Sequence, residues 1–237
     1  MHILLIGALL AAAPPADEPR ELEVLFIGNS YTENNELPWM VRAIARAEGL
    51  ALRYEQVTSG GMSLEQHWAN GKGEAVAKIA SRKWDFVVLQ EHSLRPIDEP
   101  AKLSQYAKLF DAKIKAKGAR TMLYVTWPRK GAPENQAKLS KAFAAVAQEL
   151  GATMVQVGPA WERALKERPG VALYEADESH PTPQATYLSA LVFHHAIHGK
   201  PAKSPPKSVS LLGSVLVDFE ATPTDFAFFQ KIASETR

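Results

Sequence analysis

Ser30 closes the segment Val24-Leu25-Phe26-Ile27-Gly28-Asn29-Ser30, in which a short apolar run breaks into a glycine and an asparagine. The run reads as a buried parallel strand. Gly28 can supply the tight turn, and Asn29 tolerates unusual backbone angles. A residue just past such a strand sits where open α/β sheets form their ligand crevices. A serine hydroxyl is a weak nucleophile at neutral pH, so it needs an imidazole to accept its proton and a third group to orient that imidazole. Far downstream, Asp177-Glu178-Ser179-His180 offers both from one short loop. Ser30, His180 and Asp177 are therefore candidates for nucleophile, base and orienting carboxylate. Read alone, Ser30 would serve equally well as a helix N-cap or a simple turn residue.

Two further strand ends carry groups suited to a developing oxyanion. Thr58-Ser59-Gly60-Gly61-Met62-Ser63 is a glycine loop whose backbone N–H groups can approach a substrate oxygen with no side chain in the way, or a plain strand-exit turn. Gln90 ends the apolar run from Trp84 and brings a carboxamide that can donate there, or one that makes a structural bond to a neighbouring loop. His92, just beyond, is a candidate substrate contact or alternative base. His67 is a candidate pocket residue or a packed helix residue. His194 and His198 have the i,i+4 spacing of a metal pair, but no His-Glu-x-x-His motif accompanies them, so they read with His195 as packing or surface residues and no metal site is expected.

The elements that must position these groups alternate. Apolar runs at Leu52 to Val57, Trp84 to Gln90, Arg120 to Trp127 and Thr153 to Val157 follow the first, and between them apolar residues recur at helical spacing: Leu37, Val41 and Ile44; Leu103, Phe110 and Ile114; Leu139, Phe143 and Leu150. Gly49, Gly118 and Gly151 stand where left-handed C-caps are wanted. Such alternation predicts a parallel sheet covered on both faces. Further helices are expected around Trp161 and Leu165, from Pro183 through His195, and from Pro223 to Thr236, with a Pro/Lys-rich surface connection from Lys200 to Pro206.

A chain of 237 residues with 46% hydrophobic and 22% charged content suits one catalytic domain. The net charge of +1, with no basic block, excludes an electrostatic footprint for nucleic acid. The absence of cysteine excludes disulfides, thiolate catalysis and iron–sulfur clusters. Residues 1–16 combine an apolar stretch from Ile3 to Ala13 with small residues and then a switch to charge. They read as an export signal peptide, or else as a short N-terminal anchor or a mistaken start codon, and are too short for a membrane span; the export reading predicts a periplasmic or secreted protein.

In the order of these motifs the chain resembles the SGNH hydrolases of the GDSL-type esterase superfamily. Gly28-Asn29-Ser30-Tyr31 resembles the first block, with Asn29 in place of the usual aspartate, and Gly61 resembles the second-block glycine. Leu89-Gln90-Glu91-His92 falls where the third block reads Gly-x-Asn-Asp, so Gln90 replaces the expected asparagine; Asp177-x-x-His180 fits the fifth block unchanged. The resemblance implies a flavodoxin-like three-layer α/β/α sandwich, with a central parallel sheet of about five strands, over residues 21–237. It implies that Ser30 attacks an ester, that His180 and Asp177 serve it, and that the N–H groups of Ser30 and Gly61 with the Gln90 side chain hold the oxyanion. No cofactor is implied. The substrate class is a small-molecule or glycan ester, with O-acetyl carbohydrate esters as the nearest analogy. An acyltransferase, or a non-catalytic carbohydrate-binding module on the same fold, remains the alternative. Flavin binding is disfavoured because the first loop lacks a phosphate cradle.

Overall fold

The computed structural model describes residues 20–69, 73–203, 208–209, 219–220 and 222–236. Residues 1–16, read above as an export signal, and part of the Lys200 to Pro206 connection lie outside the described residues. Strand β1 (Leu22–Gly28) leads through α1 (Ser30–Glu33) and a 3₁₀ turn at Asn34–Glu36 into α2 (Leu37–Ala47). Then β2 (Leu52–Thr58) is followed by α3 (Leu64–Ala69) and α4 (Glu74–Ser81), and β3 (Phe86–Leu89) by α5 (Arg95–Asp98) and α6 (Pro100–Lys115). Strand β4 (Arg120–Tyr124) precedes α7 (Asn135–Leu150), and β5 (Thr153–Val155) precedes α8 (Val157–Glu167). The long α9 (Pro183–His198), a two-residue antiparallel pair of β6 (Ser208–Val209) with β7 (Phe219–Glu220), and α10 (Pro223–Glu235) follow.

The first five strands form one parallel sheet in the order β2-β1-β3-β4-β5. Successive strand residues face opposite sides, so each apolar run supplies two cores at once. Val24 and Phe26, Val88, and Met122 and Tyr124 face a cluster filled by α2, α8, α9 and α10. Leu25 and Ile27, Val87 and Leu89, and Leu123 face the other, filled by α4, α6 and α7. That pattern is the three-layer α/β/α arrangement expected from the sequence. Full burial of each such side chain contributes about 1.5–3 kcal/mol, which fixes strand register against slippage.

Chain direction across the sheet reverses at β1, whose neighbours are β2 on one side and β3 on the other. A crevice opens at the carboxyl end of a strand where the order reverses. Ser30 begins α1 at that point, in register with Thr58 at the end of β2 and Leu89 at the end of β3 through Gly28 and Ile27. Gly49, Gly118 and Gly151 have φ of 70°, 73° and 61°, as left-handed caps require. The Trp84 run yields a strand only from Phe86, because the Trp84 indole N–H turns back to donate to the Lys78 carbonyl at 3.0 Å.

Candidate active site

The turn that carries Ser30 is built from Gly28 outward. A Cβ on Gly28 would lie 2.5 Å from Gln90 Oε1 and 2.6 Å from Thr32 Oγ1, so the glycine is required by close approach. Asn29 caps α1: its Oδ1 accepts the Tyr31 N–H at 3.1 Å, while its Nδ2 donates to the Met62 carbonyl at 2.9 Å. An aspartate would have no N–H for the second bond, which is a physical reason for asparagine before this serine. That bond ties the Ser30 turn to the glycine loop. Gly61 in that loop has φ 70°, a conformation that strains any residue with a side chain.

The loop from Leu173 to Thr182 is held by Tyr174–Pro181 bridge pairing and by bonds from Glu175 N to His180 O and from Thr182 N to Leu173 O. Pro183, in the first turn of α9, follows its far end. Within it, Asp177 Oδ1 accepts the N–H groups of Ser179 and His180 at 3.0 and 2.9 Å. Asp177 Oδ2 is hydrogen-bonded to His180 Nδ1. The other ring nitrogen, Nε2, lies 2.9 Å from Ser30 Oγ. The three side chains therefore form one unbroken relay. An acceptor on Nδ1 fixes the tautomer with Nδ1 protonated and Nε2 free to take the serine proton. The His180 bond, followed by the backbone N–H bonds, holds the Asp177 carboxyl down at about 2. The His180 and Asp177 side chains are 33% and 49% exposed, so the relay stands on an open rim that water reaches.

An aromatic ladder supports it. Tyr31 meets His180 edge-on at 5.6 Å, stacks on Trp127 at 4.6 Å, and Trp127 stacks on Trp161 at 3.8 Å. The Tyr31 hydroxyl bonds Ser179 Oγ at 2.7 Å, and the Trp127 indole donates to the Ser179 carbonyl at 2.9 Å. Ser179 stands between the carboxylate and the imidazole, so these bonds position both. The sequence reading passed over Tyr31 and Trp127 as participants; the position of Trp127 just past β4, at the same edge of the sheet, was the available signal.

Among the described residues the N–H groups of Ser30 and Gly61 bond no protein acceptor, which leaves them available to a ligand oxygen. Gln90 is placed differently from the expected oxyanion donor. Its side chain has no exposed surface, its Oε1 accepts from Asn29 N at 2.8 Å and Thr32 Oγ1 at 3.0 Å, and its Nε2 donates to the Glu91 carbonyl at 2.6 Å. The extra methylene lets the carboxamide fold back under the turn, where it braces Asn29. His67 is also not a pocket residue. It is buried, and its Nε2 donates to the Gly28 carbonyl at 2.7 Å. Burial lowers its pKa, which suits a neutral structural donor. His92 is half-buried and lines a cleft of about 400 Å³ with Gly61, Ser63 and Arg95. Burial and then the charges of Arg129 and Arg95 lower the pKa of His92.

Glu91 is a member that the motif reading did not single out. Fully buried, it accepts the N–H groups of His92 and Leu64 at 2.7 and 3.1 Å through Oε1, and so joins the exit of β3 to the end of the glycine loop. Burial raises its pKa. His194 and His198 pack against each other at 4.6 Å on α9, and among the described residues no group of three or more His, Cys, Asp or Glu is placed to hold a metal. Nor, among those residues, is any helix long and apolar enough to cross a membrane.

No protein-family model matches the chain, and no curated protein is significantly similar to it. Solved structures are. A protein assigned to the SGNH hydrolases from Slackia heliotrinireducens is 29% identical over 75% of this chain and 100% of its own, with a TM-score of 0.62. A DUF4886 family protein from Bacteroides uniformis is 19% identical, with 91% and 94% covered and a TM-score of 0.71. A lipase/acylhydrolase from Enterococcus faecalis is 16% identical, with 77% and 99% covered and a TM-score of 0.59. The last two likenesses concern the fold.

Proposed function

We propose that this chain, whose fold is that of the SGNH hydrolase superfamily, is a serine esterase that cleaves O-acyl esters through a covalent acyl-enzyme. The observation that carries the reading is the relay itself: Ser30 Oγ at 2.9 Å from His180 Nε2, with Asp177 Oδ2 on the opposite ring nitrogen. As Ser30 Oγ attacks the ester carbonyl carbon, its proton passes to His180 Nε2, and the Asp177 carboxylate stabilises the imidazolium that forms. The carbonyl oxygen becomes an oxyanion, for which the free N–H groups of Ser30 and Gly61 are candidate donors. Collapse expels the alcohol oxygen, which takes the proton from Nε2. A water then loses its proton to Nε2 and attacks the acyl carbon. Collapse of the second intermediate frees the acid and returns the proton to Ser30.

Exposure of His180 and Asp177 on an open rim gives water the access to the acyl-enzyme that hydrolysis requires. The intact relay counts against the non-catalytic module. Short acyl groups on carbohydrate are the substrate we infer by analogy. Export directed by residues 1–16 is part of the same proposal, to be checked by fractionating cells that express the full chain.

A fluorophosphonate probe tests the chemistry directly. It should label Ser30, and labelling should vanish in both Ser30→Ala and His180→Ala proteins that remain folded. Folded wild-type protein that resists the probe, and that hydrolyses no member of a 4-nitrophenyl ester series from acetate to palmitate, would defeat the reading.

A further inference from the structure

We infer that Arg129 forms an anion-binding subsite beside the nucleophile, so that the preferred ester carries a carboxylate on its alcohol portion; this rests on the esterase reading above. The segment that bears Arg129 is fastened to the relay loop at each step. Trp127 donates to the Ser179 carbonyl at 2.9 Å, the Pro128 carbonyl accepts the Tyr174 hydroxyl at 3.0 Å, and Lys130 N donates to the Glu178 carbonyl at 3.0 Å. The half-buried Arg129 side chain then crosses to the β3 exit, where Nη2 donates to Ser93 Oγ at 3.2 Å. Its charge lies close enough to lower the pKa of the neighbouring His92, which lines the cleft with Gly61. The guanidinium thus spans from the relay loop to the exit of β3.

Its bonding is incomplete in a way that its neighbours' is not. Arg95, which lines that cleft together with Glu65, Asp98 and Glu99, is neutralised by Glu65 at 2.6 Å and Glu99 at 3.4 Å. Lys130 faces Glu178 at 3.9 Å. Among the described residues Arg129 has no carboxylate within ion-pair distance, and its side chain hydrogen-bonds only the hydroxyl of Ser93. A guanidinium has five N–H donors in a planar fork that matches a carboxylate. A half-buried fork facing a neutral hydroxyl, on a segment bonded to the loop that carries His180, is suited to complete its bonding with an anionic substrate group.

The test compares 4-acetoxybenzoate and 3-acetoxybenzoate with their methyl esters, and O-acetyl glucuronate with its methyl ester, each kcat/KM for acetyl release being normalised to alkaline hydrolysis. Wild-type protein should favour at least one carboxylate over its methyl ester by roughly tenfold or more, with the ratio falling as salt rises. Arg129→Gln should collapse that ratio toward one through a higher KM for the carboxylate, and Arg129→Lys should restore part of it. Turnover of all pairs without preference in wild type, or a preference that survives in Arg129→Gln, overturns the subsite and leaves the esterase reading standing. Failure of every substrate to turn over, with no probe labelling of Ser30, defeats both.

Discussion

Gln90 Oε1 accepts the Asn29 N–H at 2.8 Å, so the residue that ends β3's apolar run fixes the Gly28–Asn29 peptide at the turn that carries Ser30. The same oxygen takes the Thr32 hydroxyl at 3.0 Å, and the whole carboxamide is enclosed. Gln90→Ala would strand two buried donors, each at about 1–3 kcal/mol. Melting temperature and kcat should therefore fall together, read by thermal unfolding and 4-nitrophenyl acetate turnover. A loss of roughly 10²–10³ in kcat with unchanged melting would instead mark the carboxamide as an oxyanion donor.

Gly28→Ala places a methyl group 2.5 Å from Gln90 Oε1 and 2.6 Å from Thr32 Oγ1. Both atoms are already engaged with each other, so relief requires breaking their bond or moving the turn. Overpacking of this kind costs about 1–3 kcal/mol. Because Gln90 is one of the two obstructing groups, Gly28→Ala and Gln90→Ala should couple by about 0.5 kcal/mol or more in a double-mutant cycle of urea denaturation. Additive losses would show that the two residues do not share the turn.

Asp177→Asn keeps an oxygen for the Ser179 and His180 N–H groups, which should leave the loop folded. It removes the negative charge and allows the amide to donate to Nδ1, which favours the wrong imidazole tautomer. A fall of roughly 10⁴ in kcat is expected, with KM little changed. Since the carboxyl is held at about 2, this loss should persist unaltered from pH 5 to pH 8, where Asp177 stays ionised. Turnover within tenfold of wild type would remove Asp177 from the relay.

His194 supplies a pH dependence away from the site. It is fully buried on α9, among the described residues neither ring nitrogen has a partner, and burial followed by the charge of His198 lowers its pKa to about 4. The unfolded chain takes up a proton near pH 6.5, which the folded chain refuses until about pH 4. Stability is therefore complete above pH 6.5 and lost as pH falls between those values, by on the order of 3 kcal/mol. Urea denaturation at pH 7 and pH 5 should show the decline, and His194→Leu should flatten it. An equal decline in the variant would assign the acid sensitivity elsewhere.

The strands and main helices were legible because their signals are local. Apolar runs such as Val24 to Ile27 and Val87 to Leu89 must be buried on both faces, and the glycines that end the helices announce their left-handed caps. The short α1, α3, α4 and α5 were not, since four to eight residues hold too little periodicity to separate them from loops. The types and order of Ser30, Asp177 and His180 were likewise readable from the chain, because Asp-x-x-His spacing closes its own bond within one loop.

Only the tertiary structure decided where long-range partners go. Whether the Gln90 carboxamide would face a substrate or fold back depended on the space under Gly28, which no local pattern records. His67 reaches Gly28, and Arg129 reaches Ser93, across separations that only packing of the parallel sheet brings within hydrogen-bonding distance. Linear order determined which chemical groups this chain carries and which edge of the sheet they share. The direction each side chain turns at that edge follows from competition among buried donors and acceptors, and that competition exists only once the layers have closed.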